Sequence, residues 1–123
     1  MIAHLMLLAV LHRVWGALGV LLGLSVVMLA GGAVAIGFTS TGGEIAAGVT
    51  ATVFAACAIA LFAVGAANLW ASRAMDRRES RGRAAALGLA VLNLFVLPFG
   101  TALGIYTYWV LLHDEARDAF ATR

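Results

Sequence analysis

Charged residues are scarce in this chain. Only 11% of its 123 residues are charged, lysine is absent, and the mean hydropathy is +1.01. A soluble domain usually carries about 25% charged residues. The chain therefore has too little polar surface to cover a water-soluble core, and its apolar content excludes disorder. The composition is that of an integral membrane protein without a separate soluble domain.

Cysteine is nearly absent as well. The single cysteine, Cys57, cannot form an intramolecular disulfide, and no CxxC or Cys/His cluster has the spacing of a zinc site. Cys57 lies in an apolar run, so we expect a small buried apolar side chain. The basic residues are few and most lie in one short segment, which is typical of membrane topology rather than of nucleic-acid binding.

Two long uncharged segments predict two transmembrane helices, at residues 14–38 and 45–72. A polar turn at 39–44 separates them. Residues 1–13 are apolar but too short to cross a membrane. We expect them to lie along the membrane interface or to extend as a helix into a partner protein.

The only proline, Pro98, interrupts an apolar segment that is too long for one straight span and short for two. We favour a hairpin that turns at Pro98–Gly100, with a third span at 84–97, a fourth at 99–113 and a tail at 114–123. We expect the last helix to continue into this tail and into water, where Phe120 could fold back onto the interface. One kinked helix, giving three spans, is the alternative. The hairpin brings all three tryptophans to one membrane face, as interfacial tryptophans often are: Trp15, Trp70 and Trp109.

Five arginines fall within the segment 73–83: Arg73, Arg77, Arg78, Arg81 and Arg83. The positive-inside rule places this loop in the cytoplasm, and four spans then place both termini there. We expect an all-α antiparallel bundle of four transmembrane helices. Topology alone accounts for these arginines, although they would also suit anionic lipid headgroups.

Small residues recur at helical spacing along the spans. In lipid, such residues let helices approach closely, because apolar burial does not drive association there. They predict contacts within the bundle or with another subunit. The positions are Gly19, Gly23, Ala51, Ala55, Gly100 and Gly104.

The spans themselves offer little chemistry. None contains Asp, Glu, Lys or Arg, which argues against ion-coupled transport and against a membrane hydrolase, so we expect no enzyme and no metal site. Asn68 and Asn93 are the most polar groups within spans. We expect them to hydrogen-bond between helices, a ligand or ion site being the alternative. His12 and His113 fall at similar depth and would ligate haem or chlorophyll if they faced each other; otherwise they are solvated, and no cofactor is expected.

The stretch from Asn93 to Leu112 contains N-L, a short gap and the run P-x-G-T-x-L-G-I-Y-x-x-W-V-L-L. It resembles an uncharacterised group of small bacterial multi-span membrane proteins, which also begin with a similar L-H and G-x-L-G pattern, here from Leu11 to Gly19. The resemblance implies a small multi-span protein of the bacterial inner membrane and implies no catalytic residues.

These observations predict a non-catalytic accessory or scaffold subunit that packs against other membrane proteins or against copies of itself. Two alternatives stay open. One is a homo-oligomeric channel or passive transporter lined near Asn93. The other is a haem- or chlorophyll-binding subunit.

Overall fold

The chain folds into helices alone in the part that the structure, a computed structural model, describes: residues 1–96 and 98–121. Leu97, the predicted end of the third span, and the last two residues of the predicted tail lie outside the described residues. Five helices follow one another: α1 Ile2–Thr39, α2 Glu44–Asp76, α3 Ser80–Leu94, α4 Phe99–Leu112 and α5 Asp114–Ala121.

The first two helices are long. At 38 and 33 residues, α1 and α2 measure about 57 and 50 Å, and both are apolar enough to cross a membrane. Helix α1 begins at Ile2, so residues 2–13 are helical and continuous with the first predicted span. Of the two alternatives from the sequence, the structure shows a helical extension and not a separate segment. The residues on either side of His12 and Arg13 are mostly apolar or small, which gives the helix no reason to stop there.

The chain divides into two compact units. The unit of residues 18–65 is an antiparallel hairpin made by the end of α1 and the start of α2. Gly19 lies against Gly65, because a Cβ built on Gly19 would stand 3.2 Å from the Gly65 Cα. Gly23 lies against the Phe62 ring, 3.2 Å away by the same measure. The connecting turn contains Gly42 at φ +84°, a conformation that suits glycine.

The other unit combines residues 1–17 with residues 66 onwards. Within it, α3 and α4 form an antiparallel hairpin and not one kinked helix. The Tyr108 hydroxyl donates to the Leu87 carbonyl over 3.3 Å, and Arg83 Nε donates to the Leu111 carbonyl over 3.2 Å. Helix α3 begins at Ser80, earlier than the predicted span, and so includes the end of the arginine-rich segment.

The tail differs from expectation. The sequence suggests a helix that continues from the fourth span into water, but His113 is extended (φ −66°, ψ 139°) and α5 starts afresh at Asp114. The new direction lets Ala116 and Phe120, four residues apart on one face, pack inward. Phe120 is only 4% exposed and shares a core with residues from α1 to α4: Leu8, Ala9, Met75, Ala86, Leu103, Val110 and Leu111.

The sequence predicts a buried Cys57, and the structure corrects this. The Cys57 side chain is exposed and not buried. The α1–α2 hairpin has only one packed face, and an apolar run that would be buried in a soluble protein leaves most of its side chains on the outside here.

Candidate functional site

Polar side chains gather inside the unit formed by residues 1–17 and 66 onwards. Five of them are no more than 1% exposed, although they come from four different helices: His12, Asn68, Ser72, Asn93 and Thr107. Buried polar groups are costly unless they are hydrogen-bonded. Their partners therefore decide what this interior can do.

Two asparagines and a tryptophan form a connected chain of hydrogen bonds. Trp15 Nε1–H donates to Asn93 Oδ1 over 3.2 Å, and Asn93 Nδ2 donates to Asn68 Oδ1 over 3.5 Å. The structure thus brings together the two amides singled out in the sequence. It also joins α1, α2 and α3 through side chains far apart in the chain.

The two buried hydroxyls bond to backbone carbonyls. Ser72 Oγ donates to the Ala9 carbonyl over 2.8 Å, which links α2 to α1. Thr107 Oγ1 donates to the Leu103 carbonyl of its own helix over 2.7 Å. Ser72 was missed from the sequence, although its position four residues after Asn68 places it on the same helix face.

His12 is fully buried, and one of its ring nitrogens is paired. Nδ1 lies 3.1 Å from the Leu8 carbonyl and must carry the proton to donate to it. In that neutral tautomer Nε2 holds a lone pair, and it has no hydrogen-bond partner among the described residues. Of the five buried polar side chains, His12 is therefore the one whose bonding is incomplete within the described part of the chain.

His113 lies elsewhere. His113 is exposed, and its ring centroid is 5.4 Å from the ring centroid of Trp109. The Trp109 centroid is in turn 5.6 Å from the His4 centroid. His4 precedes His12 by eight residues, or about 12 Å along α1. His12 and His113 are consequently at different levels and do not form the facing pair that the sequence allowed.

A second group of contacts, around Trp109, was not predicted from the sequence. The His4 Nδ1 lies 3.0 Å from the Tyr106 hydroxyl, and Tyr106 stacks on Trp109 with a centroid distance of 6.1 Å. No local pattern signals these contacts, because His4 and Tyr106 are 102 residues apart. Across residues 1–96 and 98–121, no three His, Cys, Asp or Glu side chains gather as they would around a metal ion.

The predicted small residues divide into two groups. Gly19, Gly23, Gly100 and Gly104 approach neighbouring groups closely, whereas Ala51 is half-buried and Ala55 is exposed. Four further glycines within the described helices face open space, because a built Cβ would have no atom within 4 Å beyond its own helix backbone: Gly31, Gly32, Gly48 and Gly88.

The five arginines lie around the α2–α3 turn. Arg83 is held against the Leu111 carbonyl, and Arg77 lies 3.9 Å from Glu79. Asp76 pairs with Arg13 of α1. Arg73 and Arg81 are exposed and Arg78 is half-buried.

The function has to be inferred from the sequence and the structure. No protein-family model, no curated protein and no solved structure matches the chain.

Proposed function

We propose that the protein is a multi-span protein of the bacterial inner membrane, with both termini and the arginine-rich turn in the cytoplasm. Its exposed surface supports this placement. Large apolar side chains are left outside on both units, including Met28 at 74%, Phe38 at 88%, Phe95 at 82% and Phe99 at 74% exposure. Hydrogen-bonded polar side chains in the core beneath an apolar exterior suit a bundle surrounded by lipid.

Four helical segments enter the bilayer in this proposal, but they differ in reach. Helices α3 and α4, at 15 and 14 residues, measure about 22 and 21 Å, less than the roughly 30 Å of a hydrocarbon core. The tip of their hairpin either crosses the membrane or stops within it. In both cases α3 begins and α4 ends at the cytoplasmic face. The orientation of both termini is the same in either case.

We further propose a non-catalytic role as an accessory or scaffold subunit that packs against another membrane protein or a second copy. The outward glycines of the α1–α2 hairpin carry this proposal: Gly31, Gly32 and Gly48 have open space where a side chain would be. Glycine weakens a helix by about 1 kcal/mol relative to alanine. In a membrane it compensates by letting a second helix backbone come close.

The polar interior favours this role over a channel. Asn68 and Asn93, the residues that would line a polar path, are joined to each other and to Trp15. Such bonds fix helices to one another, and they engage amide groups that a permeating species would otherwise contact.

The test is extraction of the native protein in a gentle detergent, followed by native mass spectrometry and an absorption spectrum. A stable complex with another membrane protein, or a defined homo-oligomer without conductance in liposomes, is the expected result. A homo-oligomer that conducts ions or small solutes would replace this proposal with the channel. A visible absorption band that follows the polypeptide would favour a haem- or chlorophyll-binding subunit.

A further inference from the structure

The turn between α2 and α3 has a defined backbone. Arg78 N–H donates to the Met75 carbonyl over 2.9 Å, and Glu79 N–H donates to the Ala74 carbonyl over 3.0 Å. This pair of bonds closes the end of α2 in the manner of a Schellman motif. The position that such a motif requires in the left-handed region is filled by Arg78, at φ +54°.

Helix α3 then packs directly onto the end of α2. Gly82 makes this possible, since a Cβ there would stand 2.7 Å from both the carbonyl carbon and the Cβ of Ala74. The turn is therefore held from both sides, by its own hydrogen bonds and by the contact at Gly82. The side chains of the turn therefore project from a backbone of defined conformation.

Positive charge exceeds negative charge on the α2–α3 turn. Segment 73–83 has five arginines against Asp76 and Glu79, and both carboxylates already have arginine partners, Arg13 and Arg77. In the part of the chain that the structure describes, no carboxylate lies within ion-pairing distance of three of the arginines: Arg73, Arg78 and Arg81.

Two of these three arginines border an open recess of about 520 Å³, lined by Arg77, Arg78, Glu79, Ser80 and Arg81. The recess comes directly after the apolar helix α2, which places it at the level of lipid headgroups in the membrane orientation proposed above. Arginine presents a planar fork of donors that matches the oxygens of a phosphate.

We propose that the α2–α3 turn binds the phosphate of an anionic phospholipid headgroup, held by Arg78 and Arg81. The inference rests on the proposed membrane placement but not on the accessory role. It also gives a reason for Arg78. Glycine suits its left-handed backbone better, whereas arginine at this position adds a positive charge to the recess.

The experiment uses the purified full chain in a neutral detergent, with native mass spectrometry to count bound lipids. Phosphatidylglycerol and phosphatidylcholine with the same acyl chains are titrated side by side. We expect preferential retention of phosphatidylglycerol. A basic side chain near a membrane surface contributes about fivefold to the attraction of anionic lipid, so Arg78→Gly and Arg81→Gln are each expected to lower its relative affinity about fivefold.

Two controls separate lipid binding from folding and from general charge. Arg78→Gly relieves the left-handed strain, so the variant should unfold at an equal or higher temperature while losing lipid. Arg117→Gln removes an equal charge from α5, where Arg117 lies 3.8 Å from Asp114, and should leave lipid retention unchanged.

Equal retention of the two lipids would overturn the proposal, as would a loss in Arg117→Gln as large as that in Arg81→Gln. Millimolar inorganic phosphate is the third arm. If phosphate alone stabilises the detergent-solubilised protein as strongly as phosphatidylglycerol does, the site recognises the free ion and the lipid assignment is wrong. None of these results depends on which protein partner is recovered, so the accessory role succeeds or fails separately.

Discussion

Trp15 and Asn93 are 78 residues apart in the chain, yet the indole N–H of one donates to the side-chain oxygen of the other. The bond connects α1 to the end of α3, just before the turn into α4. Asn93 passes the connection on to Asn68 of α2. One amide thus holds three helices together at the level where the short hairpin turns.

Removing either partner should destabilise the protein. We expect Trp15→Phe and Asn93→Ala each to lower the free energy of unfolding by about 1–3 kcal/mol, since each leaves a buried group unpaired or a cavity. The double variant should cost less than the sum, with a coupling of about 0.5–1.5 kcal/mol. Thermal unfolding in detergent measures this. Ser25→Ala, which removes only an exposed bond from Ser25 to its own helix at Leu21, is the neutral control. If the two changes in the free energy of unfolding were strictly additive, the Trp15–Asn93 hydrogen bond would be ruled out.

Two glycines should respond in opposite directions to the same substitution. A Cβ on Gly104 would lie 2.8 Å from the Ala90 carbonyl oxygen, so Gly104→Ala should force α3 and α4 apart and cost about 1–3 kcal/mol. Gly88 faces open space, and Gly88→Ala should raise stability by up to about 1 kcal/mol through helix propensity. The order of the two unfolding temperatures in detergent is the readout. Equal destabilisation by both would mean that the hairpin is packed differently.

Bulk on the outward glycines should weaken association without weakening the fold. Gly31→Leu and Gly48→Leu are expected to raise the dissociation constant of the native complex at least about fivefold, because a side chain holds the partner helix away. Val53→Leu enlarges a side chain that is already exposed on the same hairpin and serves as the matched control. Size-exclusion profiles at several dilutions give the constants. The scaffold proposal fails if both glycine variants associate as the natural chain does.

The hairpin tip can be located with single cysteines in a Cys57→Ala background. We expect Phe95→Cys and Phe99→Cys to resist a membrane-impermeant thiol reagent, since these exposed apolar side chains would contact lipid. Ser80→Cys should be labelled only from the cytoplasmic side and Thr41→Cys only from the outside. Labelling of Phe95→Cys in intact cells would show instead that α3 and α4 cross fully.

His12 offers a test that bears on bound cofactors. Its Nε2 is buried without a partner among the described residues, so an apolar side chain should be tolerated there. We expect His12→Leu to unfold within about 1 kcal/mol of the natural chain, with the same absorption spectrum. A marked loss of stability together with the disappearance of a visible band would identify Nε2 as a ligand to a pigment or haem.

Local pattern predicted those parts of the fold that depend on short stretches of sequence. Long apolar runs indicate α1 and α2, and Pro98 indicates the break between α3 and α4. The end of the chain was less predictable. Composition alone does not show that the backbone turns at His113 and brings Phe120 into the core, because that outcome depends on apolar groups elsewhere in the chain.

The candidate site shows the same division. Asn68 and Asn93 stand out because polar groups are rare in these helices, but this does not show which groups they hydrogen-bond to. Trp15 resembles an interfacial residue in the sequence, and only the packing of α1 beside α3 makes it a hydrogen-bond donor to Asn93. Exposure of Cys57 was missed because an apolar run does not indicate which face of the helix is exposed.

The core that contains both Leu8 and Phe120 sets an order of events during synthesis. In the membrane placement proposed above, the hairpin of residues 18–65 can form while the ribosome is still translating the later helices. The first residues of the chain must then wait, because the core residues from Met75 to Phe120 on which they pack have not yet been made. Only after residue 120 emerges can the earliest and latest segments of the protein close on each other.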